Sequence, residues 1–267
     1  LARGIEDCGY TAGYNVLLCN SDRSITKELA YLDMLISKRI DGLVYMTTDT
    51  HSEQLQPLLD RNIPVVTYDR EYEAFDAILL DNFQGGYDAT RHLIGLGHRR
   101  IACIAGPDSR SGRSAGRTDG YRQALEDAGL PVDPSLIARG SWTYESGRDA
   151  ARRFFELASP PTAIFACNDT MAIGVVAYLT QHGLDVPGDV SVVGFDNITL
   201  SAFISPPLTT LATSTVELGQ RLCQMLLQRI GGKLPPEPQR YTVTGELVIR
   251  FSTAPANEGA RRVKAVA

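Results

Sequence analysis

The sequence predicts an α/β protein made of two doubly wound lobes, each with a largely parallel sheet. Short apolar runs typical of buried strands alternate with helical periodicity along almost the whole chain. This alternation indicates parallel sheets that are covered by helices on both faces. There are more strands than one sheet in a single lobe holds comfortably, and 267 residues suit two lobes of about 100–150 residues each.

Strands are predicted where apolar residues run without a helical period, and they lie at 14–19, 42–46, 64–68, 77–80, 101–105, 136–138, 162–166, 190–195, 208–212, 240–243 and 246–251. Helices are predicted where apolar residues recur at three- and four-residue spacing. They cover 25–37, 52–60, 84–96, 115–128, 144–157, 169–182 and 215–230, and Gly97, Gly183 and Gly231 end three of them. The tail at 257–267 shows no periodicity and is predicted to be disordered.

Composition and charge argue against several classes of protein. The formal net charge is −5 and the pI is about 5.4, whereas a nucleic-acid-binding surface is basic. No window reaches the ~18 apolar residues that a membrane span requires, and no signal peptide is visible. Five cysteines form no C-x-x-C pair and four histidines form no i, i+4 pair. We therefore expect buried thiols in a reducing cytoplasm, without a disulfide or a zinc site.

Polar or aromatic side chains follow six predicted strands at the point where each strand ends. They are Asp69 and Arg70, Asp81 and Asn82, the loop arginines Arg110, Arg113 and Arg117, then Trp142, Asn168 and Asp196. Ligands of open α/β sheets bind outside these carboxyl ends, so two facing lobes would bring the groups to one cleft. Carboxylates and amides suit hydroxyls, arginine suits anions or ring oxygens, and tryptophan suits stacking. The pattern predicts a polyhydroxylated or heterocyclic small-molecule ligand.

Some of these residues have an equally good structural interpretation. Asn168 suits a helix N-cap as well as a ligand contact. Asp69 and Arg70 suit a structural ion pair as well as a ligand contact. Asp81 and Asn82 are better explained as turn formers.

For three of the remaining residues the ligand interpretation is favoured. Trp142 is the single tryptophan, and its position at a strand end favours a stacking platform over a core residue. Arg117 and Asp196 are both interpreted as ligand contacts.

Enzyme signatures are weak. Residues 112–116 match G-x-S-x-G, but a nucleophile elbow requires its serine directly on a strand-to-helix turn. Ser114 lies well beyond the strand end at Ala105, so the match is accidental. His98 is interpreted as a helix-exit residue. There is no P-loop and no G-x-G-x-x-G, and we expect no cofactor and no metal.

Several segments together resemble one family. They include IDGLV at 40–44, LGHRRIA at 96–102, CNDTMAIG at 167–174, VPGDVSVVGFDN at 186–197, PPLTT at 206–210 and ELVIRFST at 246–253. Over nearly all of residues 1–253 the chain resembles the effector-binding core of lac-repressor-type (LacI/GalR) bacterial transcriptional regulators. That core has a type I periplasmic-binding-protein-like fold. The resemblance implies one lobe of 1–97 with 214–243 and another of 98–213 with 244–256.

The resemblance also implies roles for single residues. Arg117 falls on an effector-contacting arginine, Trp142 on a stacking aromatic, and Asn168 and Asp196 on the groups that hold effector hydroxyls. Asp69 and Arg70 match a motif at the cleft edge, and Arg110 and Arg113 lie in the arginine loop.

The implied function is a cytoplasmic, homodimeric sensor that controls a repressor. Its effector is a pentose or hexose, with a sugar phosphate or purine as further options. Helices 25–37 and 52–60 are the implied dimer surface. Family members carry a helix-turn-helix headpiece, a hinge helix and a first strand that the printed residues do not include, so we expect operator DNA to be bound only through the headpiece. Two alternatives are a periplasmic sugar-binding protein of an importer and an enzyme acting on a sugar or nucleoside.

Overall fold

The structure is a computed structural model that describes residues 1–22, 24–46, 52–107 and 112–257, with only the backbone described at 52–53 and 112–114. The tail predicted to be disordered lies outside the described residues except for Asn257, and Arg110 lies outside them as well.

The strands of the described residues are β1 (Leu43–Tyr45), β2 (Val65–Tyr68), β3 (Asp76–Leu80), β4 (Ile101–Ala105), β5 (Ile137–Arg139), β6 (Ala163–Ala166), β7 (Ser191–Asp196), β8 (Thr209–Ala212), β9 (Arg240–Val243) and β10 (Glu246–Val248). The α-helices are α1 (Ala2–Thr11), α2 (Ile25–Ser37), α3 (Gln56–Leu59), α4 (Asn82–Gly95), α5 (Gly112–Asp127), α6 (Tyr144–Phe155), α7 (Asp169–Gln181) and α8 (Thr215–Ile230). Short 3₁₀ turns lie at Ser52–Leu55, Pro134–Leu136 and Thr199–Ala202.

The chain forms two compact units, and each contains a mostly parallel sheet. This architecture confirms the predicted α/β fold. The first unit comprises Leu1–Leu80 and Ser214–Val243. Its sheet has the order β1-β2-β3-β9, and each pair is parallel. One core cluster joins Leu32, Leu55 and Leu58 to the strand residues Tyr45 and Val65. A second cluster, described below, covers the other face, as expected for a parallel sheet between helical layers.

The second cluster packs α8 on the same sheet. Leu218, Leu222 and Met225 of α8 contact Val66 and Ile78. These apolar side chains recur at three- and four-residue spacing, which places them on one face of the helix. The first unit is therefore a sheet with helices on both faces.

The second unit comprises Asp81–Thr213 and the residues from Thr244 onward. Its six strands have the order β10-β8-β7-β6-β4-β5, and all pairs are parallel except the antiparallel pair of β10 and β8. All residues of β4 and β6 are buried. Because β4, β6 and β7 are parallel neighbours, their carboxyl ends lie at one edge of this sheet. The candidate site lies at that edge.

The boundary predicted at residue 97 is wrong, because α4 belongs to the second unit. It packs along α5 with almost no space between the two backbones. A Cβ atom on Gly86 of α4 would lie 2.1 Å from the carbonyl oxygen of Arg117, and one on Gly120 of α5 would lie 2.1 Å from that of Phe83. Glycine is required at both positions because only a side chain without Cβ permits this approach.

The strand predicted at 14–19 is absent: this segment pairs with no strand of the described chain. Residues 14–19 and β1 both line a cavity of about 360 Å³. Val16, Leu17 and Leu18 are 41%, 60% and 74% exposed. Strand propensity alone does not form a strand without a neighbour to pair with.

His98 is a buried polar anchor, not simply a residue at a helix exit. Its ring nitrogens lie 2.9 Å from the Thr162 hydroxyl and 3.0 Å from the Ser191 hydroxyl, and Nε2 lies 3.1 Å from the Ala254 carbonyl oxygen. Burial lowers the pKa of His98 below its usual range, since a charged ring is costly in an apolar surrounding.

No helix of the described residues is long and apolar enough to cross a membrane.

Candidate functional site

Arg117 is the centre of the site. It lies on α5 and is only 3% exposed. Its Nε donates a hydrogen bond of 2.8 Å to Oδ1 of Asn82, and its Nη1 donates one to the carbonyl oxygen of Cys167. Nη1 also lies 3.3 Å from Oδ1 of Asp196. The partners come from α4, the end of β6 and the end of β7, so one side chain links three elements.

The guanidinium also stacks on an aromatic ring. Its Cζ lies 3.6 Å from the centroid of Phe195, which is fully buried, and an arginine in this position is attracted by the negative face of the ring. Gly85 provides the space, because a Cβ atom there would lie 2.7 Å from Cε2 of Phe195. Arginine suits such stacking because its charge is planar and delocalised.

Asp196 ends β7 and presents its carboxylate toward solvent. The side chain is 40% exposed, whereas that of Arg117 is 4% exposed. The backbone of Asp196 has φ of 100° and that of Asn197 has φ of 52°, so the strand stops in a left-handed turn. The buried guanidinium of Arg117 offsets the charge of the Asp196 carboxylate, which is partly exposed and can accept further hydrogen bonds.

Asn168 serves as the N-cap of α7. Its Oδ1 accepts a hydrogen bond of 2.9 Å from the backbone N–H of Met171, which confirms the capping interpretation. The residue is 8% exposed. The carbonyl oxygen of the adjoining Cys167 accepts a hydrogen bond from Arg117. The Asn168 side chain and the Cys167 carbonyl therefore lie together at the end of β6.

Trp142 lies against the end of β4. Its backbone has φ of 65°, and the ring is packed so closely that a Cβ atom on Gly106 would lie 2.0 Å from Cζ2 of the indole. The residue is half-buried. The Gly106 backbone therefore supports the indole ring, and the predicted stacking of a ligand on this ring remains a prediction.

Two of the other predicted site residues belong to the first unit, and the remaining two are described only in part or lie outside the described residues. Asp69 and Arg70 follow β2 in the first unit. Oδ1 of Asp69 accepts a hydrogen bond of 3.2 Å from the N–H of Leu80, and the guanidinium of Arg70 lies 5.7 Å from the ring centroid of Tyr72. The backbone of Arg113 belongs to α5, and Arg110 lies outside the described residues.

Sequence reasoning missed two members of the site. Asp81 is a helix cap, accepting from the N–H of Gln84 at 2.9 Å, as a turn former would. Asn82 instead orients Arg117 from 35 residues away. For Phe195 the apolar pattern indicates only a strand residue. No local signal in the sequence marks Asn82 or Phe195 as a partner of Arg117, although each is adjacent to an aspartate at a strand end.

Comparison with known proteins decides the family. Residues 1–255 match the family described as periplasmic binding proteins and sugar binding domain of LacI family. The chain is 36% identical over 262 residues to the HTH-type transcriptional regulator DegA of Bacillus subtilis, covering 96% of this chain and 77% of that protein. The chain belongs to the LacI family. The LacI-family chain is also 39% identical over 257 residues to the HTH-type transcriptional repressor PurR of Actinobacillus pleuropneumoniae, covering 95% of this chain and 76% of the repressor.

Solved structures agree with this assignment. The LacI-family chain matches a complex of the transcriptional regulator CelR with cellobiose at a TM-score of 0.85 and 32% identity, over 94% of this chain and 77% of that one. It matches a LacI-family regulator of Enterococcus faecium with bound ribose at 0.86 and 30%, over 96% and 93%. These relatives identify an effector-binding regulatory domain and do not favour the importer alternative. Relatives named in the comparisons are regulators of transcription.

Proposed function

We propose that this domain binds a neutral sugar at the carboxyl edge of the six-stranded sheet and thereby regulates operator binding by the full protein. The observation that carries the proposal is the pairing of buried Arg117 with the solvent-facing carboxylate of Asp196. Similar regulators are named with bound cellobiose and ribose. The nearby Asn168 and Trp142 supply an amide and a stacking face of the kind that suits polyhydroxylated ligands.

Charge balance favours a neutral effector over a phosphorylated one. The guanidinium of Arg117 is shared by Asn82, the Cys167 carbonyl and Asp196, so its positive charge is already offset. Hydroxyl groups would donate to Asp196, and a sugar ring would stack on Trp142. Asp69, Arg70, Arg110 and Arg113 join the proposed contacts through the family resemblance.

The proposed mechanism is a population shift without chemistry. The effector binds one of two conformations more tightly and so raises its population, which changes the affinity for DNA. We propose a binding protein rather than an enzyme, because the relatives are regulators. A cytoplasmic location follows from the need to reach operator DNA.

The binding proposal is tested by thermal unfolding in the presence of pentoses, hexoses, disaccharides, sugar phosphates and purines. The cognate sugar at 100 times its Kd should stabilise the protein by about 2.7 kcal/mol. Asp196→Asn should abolish that gain, and quenching of Trp142, the single tryptophan, should report binding directly. Asp119→Asn is the matched control, since Asp119 is an exposed carboxylate on α5 paired with Arg122. A sugar that stabilises wild type and Asp196→Asn equally would place the site elsewhere, and a response to phosphorylated ligands alone would overturn the neutral class.

We also propose a homodimer, which exposed apolar side chains support. Leu200, Phe203, Ile249 and Phe251 of the second unit are 44%, 79%, 64% and 71% exposed. The segment carrying the last two lies beside the first two, because the N–H of Phe251 donates to the Pro207 carbonyl and Arg250 bonds Ser201. Exposed apolar groups clustered in this way mark contact surfaces. On α2, Ile25 and Leu29 are 45% and 38% exposed, in keeping with the implied role of that helix.

Phe203→Glu should convert the dimer to a monomer in sedimentation velocity, because a charge at the centre of an apolar interface is desolvated without a partner. The control is Tyr10→Glu on α1, an aromatic that is 82% exposed and lies in the first unit. A Phe203→Glu variant that sediments like wild type would exclude this surface, and a wild-type monomer at micromolar concentration would contradict the dimer itself.

A further inference from the structure

The turn at 196–198 holds its backbone in a conformation that few side chains tolerate. Asp196 and Asn197 both have positive φ, 100° and 52°, and neither is glycine. Such residues persist only where the surrounding structure holds them in place. The carboxylate of Asp196 takes its direction from this turn, so whatever fixes the turn also fixes the proposed effector contact.

A buried carboxylate reaches the turn from another element. Asp169, at the first position of α7, is fully buried. Its Oδ2 accepts a hydrogen bond of 2.8 Å from the backbone N–H of Ile198, and its Oδ1 accepts one of 2.5 Å from the hydroxyl of Thr210. That hydroxyl oxygen in turn accepts a hydrogen bond of 3.3 Å from the N–H of Asn197. Asp169 therefore holds two successive amides of the turn, one directly and one through Thr210.

The space for this carboxylate exists because residue 194 is glycine. A Cβ atom on Gly194 would lie 2.2 Å from Oδ1 of Asp169, so any other residue at this point of β7 would displace the carboxylate.

A second side chain, Arg250, holds the same turn, and it follows the turn in the sequence whereas Asp169 precedes it. Nη2 of Arg250 donates a hydrogen bond of 2.6 Å to Oδ1 of Asn197, and its Nη1 donates one of 2.7 Å to the carbonyl oxygen of Leu208.

We propose that Asp169 is a positioning residue that sets the direction of the Asp196 carboxylate by holding the left-handed turn at 196–198. The proposal rests on the proposed function in one respect, namely that Asp196 contacts the effector. Asp169 itself is fully buried, so the proposal assigns it no direct contact with the effector. A capping carboxylate at a helix start ordinarily accepts from its own helix, whereas Asp169 accepts from the turn and from β8.

The charges facing Asp169 make the clamp sensitive to pH. The pKa of Asp169 is raised to about 7, because burial and, to a smaller extent, the Asp196 carboxylate raise it by more than the Thr210 hydroxyl, the Ile198 N–H and Arg250 lower it. The native state therefore keeps this proton at pH values where the unfolded chain has lost it. The free energy of unfolding should fall as pH rises from about 4 to about 7 and level off above that range.

Amide hydrogen exchange measured by NMR tests the clamp without any effector. In Asp169→Ala, exchange of the Asn197 and Ile198 amides should accelerate at least tenfold relative to the other slowly exchanging amides of β7. Thr210→Val should accelerate the Asn197 amide in the same way. Asp169→Asn should preserve slow exchange, because its amide oxygen still accepts from Ile198 and its amide nitrogen donates to Thr210. Unchanged exchange at 197–198 in folded Asp169→Ala would overturn the proposal.

The pH profile supplies a readout that general destabilisation would not move. The Ile198 amide shift should titrate with a midpoint near 7 in wild type and show no such step in Asp169→Asn. Asp133→Asn is the matched control, since Asp133 also accepts several hydrogen bonds and pairs with Arg100 but precedes β5 at the amino end of the sheet. A step that persists in Asp169→Asn would overturn the assignment.

Ribose and cellobiose titrations followed by Trp142 fluorescence separate the two proposals. If exchange responds as expected while no sugar binds, the clamp stands and the effector assignment fails. If a sugar binds wild type and Asp169→Ala with the same affinity, the positioning role fails and the effector assignment stands.

Discussion

Arg117→Met is expected to lower the free energy of unfolding by about 2–4 kcal/mol and to reduce effector affinity at least a hundredfold. The substitution removes the donor that serves the buried Asn82 side chain and the Cys167 carbonyl. Leaving buried acceptors without a donor costs about 1–3 kcal/mol each, and methionine recovers part of this by packing on Phe195. Urea denaturation gives the stability change, and tryptophan fluorescence titration gives the affinity.

The matched control for this change is Arg122→Met on the same helix. Arg122 pairs with Asp119 across one turn at 2.8 Å, and both side chains are largely exposed. Exposed pairs of this kind contribute about 0–1 kcal/mol, so stability and affinity should stay close to wild type. If Arg117→Met matches wild type in both measurements, the buried cation is neither a structural link nor an effector contact.

Gly86→Ala is expected to destabilise the second unit by about 1–3 kcal/mol and to weaken effector binding with it. The new methyl group would lie 2.1 Å from the carbonyl oxygen and 2.8 Å from Cα of Arg117. Because these are backbone atoms of a packed helix, α4 and α5 must separate, and Arg117 must move with its helix. Thermal and urea unfolding measure the loss, and the effector titration shows how far the site shifts.

Gly95→Ala on the same helix should have the opposite sign. A Cβ atom at position 95 meets nothing within 4 Å, so replacing the less favourable helix former should stabilise the protein by up to about 1 kcal/mol. If Gly86→Ala and Gly95→Ala have equal stability, the close approach of α4 and α5 does not require glycine at position 86.

Strand ends and their polar residues could be predicted from the sequence because they depend on local pattern. Asp196 ends β7, Asn168 caps α7 and Trp142 follows β5, as the alternation of apolar runs and helical periods indicates. Partners across the fold could not be predicted. Asn82 lies 35 residues from Arg117, and Thr210 lies 41 residues from Asp169. Such contacts depend on which helix packs on which strand, and periodicity does not encode that choice.

Two errors have the same origin. The period of α4 identifies a helix with a buried face, but the period does not indicate which sheet that face covers, so the boundary predicted at residue 97 places the helix in the wrong unit. The apolar run at 14–19 has strand composition, yet a strand requires a pairing partner, and this run pairs with no strand of the described residues. Both errors concern neighbours rather than local conformation.

Each unit is completed by residues that come late in the chain. β9 joins the first sheet only after the chain has passed through Asp81–Thr213 of the second unit, and Arg250 bonds Asn197 from 53 residues further on. During translation a nascent chain that stops short of Arg250 already contains Arg117, Asp169 and Asp196 but lacks the arginine that holds the turn at 196–198. Domains fold as units once their segments are available, so we expect the proposed effector site to be complete only after the segment that carries Arg250 has been synthesised.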